Sequence, residues 1–70
     1  MREVYTIVGR NIRKQRKRLG LTQEQLAATA RLSSDYVSRL ELGKENPTVD
    51  VLSRISHACD VTICELVKGT

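Results

Sequence analysis

Six of the twelve lysines and arginines stand between Arg10 and Arg18, with no acid among them. Such a run either neutralises a polyanion or hydrates one face of a helix. Asp35 and Arg39 lie four residues apart, one helical turn, and a guanidinium there offers a fork for planar acceptors. Gln23 follows Thr22 at the start of a helical pattern, beside backbone N–H groups that a helix leaves unpaired, which makes an anion site by geometry. The other reactive types are His57, Cys59 and Cys64. Two thiols and one imidazole fall short of the four convergent ligands of structural zinc, and no nucleophile signature surrounds them. No metal, cofactor or catalysis is therefore expected. The formal net charge of +4 and a pI near 9.5 instead favour a polyanionic partner.

The elements that must hold these residues read as short helices joined by short turns. There is no sustained two-residue alternation and no hairpin signal, while apolar residues recur three and four apart, so the expected class is all-α. The first helix is expected from about Val4 to Leu19, ending at Gly20. With Arg10 at 0° and about 100° per residue, Val8, Ile12 and Leu19 cluster at about 180° as the buried stripe. Arg10, Arg13, Lys14, Lys17 and Arg18 occupy the opposite face, and Arg16 falls at about 240°, at the edge of the stripe.

Thr22 and Gln25 predict a capping box opening a second helix with Leu26, Ala27 and Ala30. Ser33 or Ser34 caps a third, which carries Tyr36, Val37, Leu40 and Leu42 and is closed by Gly43. Thr48 caps a fourth with Val49, Leu52, Ile55 and Ala58, and Thr62 with Glu65 forms a second box opening a short fifth helix through Val67. Leu21, Leu32, Leu52 and Ile55 should help close the core.

Seventy residues amount to one domain, residues 1–70, with no room for an effector-binding or catalytic module beside it. No small-molecule effector is expected. No apolar run approaches the roughly 18 to 20 residues of a membrane span, and the N-terminus lacks the apolar stretch of a secretory signal. Two cysteines are too few for a disulfide scaffold, so a reduced, cytoplasmic setting is expected, with Cys64 a plain buried thiol.

Two short helices joined by Arg31-Leu32-Ser33, after a basic helix, follow the helix-turn-helix pattern. Three ordered blocks resemble the phage repressor and Cro type of helix-turn-helix protein: Leu19-Gly20-Leu21-Thr22-Gln23-Glu24-Gln25-Leu26-Ala27, Tyr36-Val37-Ser38-Arg39-Leu40-Glu41-Leu42-Gly43-Lys44, and Asn46-Pro47-Thr48. The resemblance covers residues 8 to 67 and extends to controller proteins of restriction-modification systems. It implies a compact five-helix domain whose third helix enters the major groove of double-stranded DNA. Base contacts would then come from Ser34, Asp35, Ser38 and Arg39. Arg39 suits guanine O6 and N7, while Asp35 either accepts from a cytosine amine or orients Arg39. Phosphate contacts would come from Arg10, Arg13, Thr22, Gln23, Tyr36, Lys44 and Asn46. Tyr36 could equally be half-buried with a wet hydroxyl. The resemblance also pairs Arg16 with Glu41 as an architectural ion pair. The chain departs from the family pattern at Arg31, where such proteins usually carry Gly. Arg31 must either adopt a left-handed conformation, at about 1 kcal/mol, or let the turn adjust.

One half-site offers few base contacts, so a homodimer on a palindromic site is expected. Of Val61, Ile63, Leu66, Val67, Val4, Tyr5 and Ile7, some should close the core and the surplus supplies the candidate interface. Either repression or activation fits. A protein-interaction or antitoxin-like module on the same fold is the competing reading, because fold alone does not determine function.

Overall fold

Five helices make up the computed structural model, which describes residues 2–69: α1 (Arg2–Arg18), α2 (Gln23–Ala30), α3 (Ser34–Glu41), α4 (Val49–Cys59) and α5 (Ile63–Val67). Met1 and Thr70, the ends of the expected domain, lie outside the described residues. The class is all-α, with the helix-turn-helix formed by α2 and α3. Four of the helices start at a hydroxyl cap. Thr22, Ser33, Thr48 and Thr62 are extended, and each side chain accepts from the backbone N–H three residues on. Each cap is worth about 1 kcal/mol. At α2 the box is complete, since the Thr22 N–H donates to Gln25 Oε1 at 2.8 Å. At α5 only half of it forms: the Glu65 N–H donates to Thr62 Oγ1 at 3.3 Å, and Glu65 makes no return bond among the described residues.

The core takes Val8 and Ile12 from α1, Leu26, Ala27 and Ala30 from α2, Val37 and Leu40 from α3, Leu52, Ile55 and Cys59 from α4, and Leu66 from α5. Leu32 packs against it half-buried, and Leu21 is likewise only half-buried. Leu19, expected in the stripe, is 41% exposed. The helix ends at Arg18, which leaves Leu19 in the turn. The buried place goes to Gln15, at about 140° on the same wheel. Its Oε1 accepts from Arg18 Nε at 2.7 Å, and Arg18 Nη2 reaches the Cys59 carbonyl at 3.3 Å. Arg18 therefore bridges to α4 instead of joining the free basic face. On the same flank Asn11 Nδ2 donates to the carbonyls of Leu66 and Lys68, at 3.0 and 2.8 Å, tying the end of α5 to α1.

The other flank of α1 meets α3 at close range. A Cβ on Gly9 would collide with the Leu40 carbonyl oxygen and lie 2.9 Å from that of Glu41. Gly43, at φ +75°, closes α3, and a Cβ there would meet Thr6 Cα at 2.9 Å. Helix α1 is thus held against the last turn of α3 by two residues without side chains.

Of the two alternatives for Arg31, the chain takes the left-handed one: φ is 59°, and the Leu32 N–H bonds the Ala27 carbonyl at 2.8 Å. Asp60 ends α4 in the same conformation, at lower cost because a short polar side chain tolerates it. Arg31→Gly should therefore raise stability by about 0.5–1 kcal/mol, the relief of the left-handed backbone exceeding the lost helix-end charge. A thermal melt should shift upward by about 2–8 °C.

Cys64 is exposed; it is Cys59 that is buried, and burial pushes its thiol above its ordinary pKa. The expectation of a buried thiol at Cys64 was misplaced because α5 turns Leu66 inward and leaves Cys64 outside. No helix among the described residues is long and apolar enough to cross a membrane.

Candidate DNA-binding surface

The site is built on the α2–α3 pair and the loop that follows. Thr22, Gln23 and Glu24 at the start of α2 line one shallow depression together with Ser34, Asp35 and Ser38 of α3. The Gln23 and Glu24 N–H groups precede the first intrahelical bonds and have no acceptor among the described residues. The Thr22 oxygen is engaged with the Gln25 N–H at 3.0 Å, so its hydroxyl hydrogen is the part left for a ligand.

Beneath this depression runs a charged network. Arg16 Nε donates to Glu41 Oε2 at 2.7 Å and Arg16 Nη2 to Glu41 Oε1 at 3.0 Å, while Nη1 holds the Leu21 carbonyl at 2.9 Å. Both side chains are largely dry, 11% and 2% exposed. The bond to Glu41 raises the Arg16 pKa above its ordinary value against the opposing effect of burial, so the guanidinium stays charged. Gln23 Nε2 also donates to Glu41 Oε1, at 3.1 Å. One carboxylate therefore joins the end of α1, the start of α2 and the last turn of α3. The position of Gln23 depends on it.

Arg39 is not held by Asp35. Its Nε donates to Glu45 Oε2 at 2.8 Å, and its guanidinium carbon lies 5.9 Å from the centre of the Tyr36 ring. Glu45 stands in the loop six residues on, where no helical spacing links the two. Tyr36 is half-buried against the core. Lys44 is exposed beside Tyr5, Thr6 and Leu42 in a second depression, and Asn46 is exposed in the loop before α4.

The basic residues of α1 divide by direction. Helix α3 packs on the side carrying Gly9 and Arg16, at about 250° on the wheel, and Arg13, at about 300°, flanks it. Arg10 lies at 0°, about 160° away from buried Ile12, with Lys14 and Lys17 within about 40° of it. The geometry brings Arg13 close to the α3 side and turns Arg10 away from it. Acids also stand on or beside the surface, at Glu24, Asp35 and Glu45.

A capped helix, a tight turn and a second helix whose polar side faces out define a helix-turn-helix unit. The chain belongs to the helix-turn-helix family of transcriptional regulators: the family model described as helix-turn-helix matches residues 12–66. It is 42% identical over 64 residues to the uncharacterized HTH-type transcriptional regulator y4dJ of Sinorhizobium fredii, covering 91% of this chain and 83% of that one. It is 39% identical over 61 residues to the HTH-type transcriptional regulator SlrR of Bacillus subtilis, covering 86% of this chain but 40% of SlrR. Among solved structures, the restriction-modification controller protein C.AhdI from Aeromonas hydrophila superposes with a TM-score of 0.86 at 31% identity, over 89% of this chain and 94% of that one. These are regulators, not enzymes.

Proposed function

We propose that this protein is a sequence-specific, double-stranded-DNA-binding regulator that acts as a homodimer on a palindromic operator, with α3 in the major groove. The observation that carries the reading is the shared depression, where the start of α2 and the outer side of α3 meet. Gln23, Thr22 and the free N–H groups at the start of α2 take a phosphate. Ser34, Asp35, Ser38 and Arg39 meet base edges. Lys44, Asn46, Tyr36 and Arg13 frame the helix along the backbone, with Arg10 turned away from the α3 side of α1. The likeness to a restriction-modification controller protein supports a regulatory role, and the family supports DNA as the partner.

For the dimer, the apolar residues left outside the core are the support. Leu66 is fully buried and drops out of the interface set. Val61, Ile63 and Val67 remain half-buried at the α5 end, and Tyr5 and Ile7 half-buried with exposed Val4 on α1.

In vitro selection of binding sites followed by footprinting tests the reading. A symmetric site with half-sites about 10 bp apart is the expected result. No enrichment over random DNA would overturn it in favour of a protein-interaction role. Arg39→Ala should cost about 1–3 kcal/mol on the selected site and relax a single base position. Equal weakening on every sequence would make Arg39 a phosphate contact instead.

A further inference from the structure

The way Arg39 is held says what else sets its specificity. Glu45 takes only the Nε hydrogen, and Nη1 and Nη2 have no partner among the described residues. The Tyr36 ring lies 5.9 Å from the same guanidinium, within reach of a cation–π contact. One edge and one neighbouring ring thus restrain the group. The end that remains is the pair of amino groups a guanidinium presents to guanine O6 and N7. Arg39 is 47% exposed and Glu45 33%, so as a stability element this ion pair is worth little. Its consequence lies in orientation: an arginine already fixed loses less rotamer freedom on meeting a base.

We propose that Glu45 is a positioning residue for Arg39, aiming Nη1 and Nη2 at a guanine edge and keeping the guanidinium from swinging to phosphates. The inference rests on the DNA-binding reading above and adds a residue to it from outside the recognition helix. Without Glu45, the side chain gains freedom to neutralise any phosphate, and one negative charge leaves the surface. Binding to unrelated duplex then strengthens while discrimination at one base falls.

The test measures affinities of the full chain for the selected operator, for the operator altered at the base that Arg39→Ala relaxes, and for random duplex. The proteins are the parent, Glu45→Gln, Arg39→Ala and the double variant, with urea midpoints checking that each is folded. Glu45→Gln should lower discrimination at that one base by about 3- to 10-fold, raise random-duplex affinity, and leave other base preferences intact. In the Arg39→Ala background it should leave discrimination at that base unaltered. Tyr36→Phe, which keeps the ring but removes a proposed phosphate contact, should weaken binding to all duplexes alike while retaining that discrimination. A uniform rise in affinity for all duplexes with discrimination unchanged would reduce Glu45 to a through-space charge and overturn the proposal. So would a loss of discrimination that persists without Arg39. If the parent selects no site at all, the DNA-binding reading falls first and this role with it; a parent that selects a site while Glu45→Gln discriminates normally overturns the role of Glu45 alone.

Discussion

Replacing Glu41 with Leu is expected to lower the free energy of unfolding by about 3–5 kcal/mol, because Arg16 would keep its charge in a dry site with no counter-ion. The Arg16 side chain is 11% exposed, and two of its three bonds end on this carboxylate. The remaining bond, to the Leu21 carbonyl, satisfies a donor but supplies no opposing charge. For 70 residues, at roughly 0.05–0.15 kcal/mol per residue, the whole domain holds about 4–10 kcal/mol. A loss of that size brings the single variant close to unfolding at room temperature.

The double variant Arg16→Met with Glu41→Leu should recover most of the loss, since an apolar pair of similar volume removes both the charge and the need to solvate it. Gln23 would lose its acceptor in both variants, but it is only half-buried and water can replace Glu41 there. Urea denaturation followed by far-ultraviolet circular dichroism reads the cycle. The single variants should each fall well below the double. Costs that simply add, within about 0.5 kcal/mol, would show the two residues to be independent and the pair to be unimportant. On DNA the double variant should bind the operator less tightly than the parent even when folded, because Gln23 loses the anchor that sets its side chain.

The parts of this fold that follow local rules were legible in the sequence. Caps at Thr22, Ser33, Thr48 and Thr62 announce themselves through hydroxyls three residues before a backbone donor, and helical spacing located Leu26, Ala27, Ala30, Val37 and Leu40 in the core. What escaped depends on where chain ends and loops return in space. Periodicity carried the α1 stripe one residue too far, to Leu19, because an angular pattern does not say where the packed neighbours stop. Asn11 was silent since its partners are carbonyls more than fifty residues away. Glu45 was silent for a related reason: the i,i+4 rule offered Asp35 as the partner of Arg39, and the loop delivered a better-placed carboxylate. In the candidate site, residue types were readable, and the family resemblance supplied the Arg16–Glu41 pair, but the carboxylate that holds Arg39 was decided by the loop after Gly43.

Gly9→Ala provides a case in which local propensity and tertiary packing demand opposite signs. Position 9 lies inside α1, where alanine is favoured over glycine by about 1 kcal/mol, so a view confined to the helix expects stabilisation. The added Cβ, however, would strike the Leu40 carbonyl oxygen, with the Glu41 carbonyl oxygen at 2.9 Å and its carbon at 3.0 Å. All three are backbone atoms of the last turn of α3, and no rotamer change can move them aside. Overpacking of this kind costs about 1–3 kcal/mol, and contact with fixed backbone belongs at the upper end. The net expectation is a loss of about 2 kcal/mol, read in urea or as a fall in melting temperature of roughly 8–16 °C. The substitution should also weaken operator binding at temperatures where the variant is folded, because relief requires α1 to move away from α3. That movement stretches the Arg16–Glu41 contact, whose acceptor lies beside the colliding carbonyls. A stabilised Gly9→Ala variant would mean that α1 and α3 do not approach this closely in solution, and the rigid mounting of the recognition helix would have to be found elsewhere.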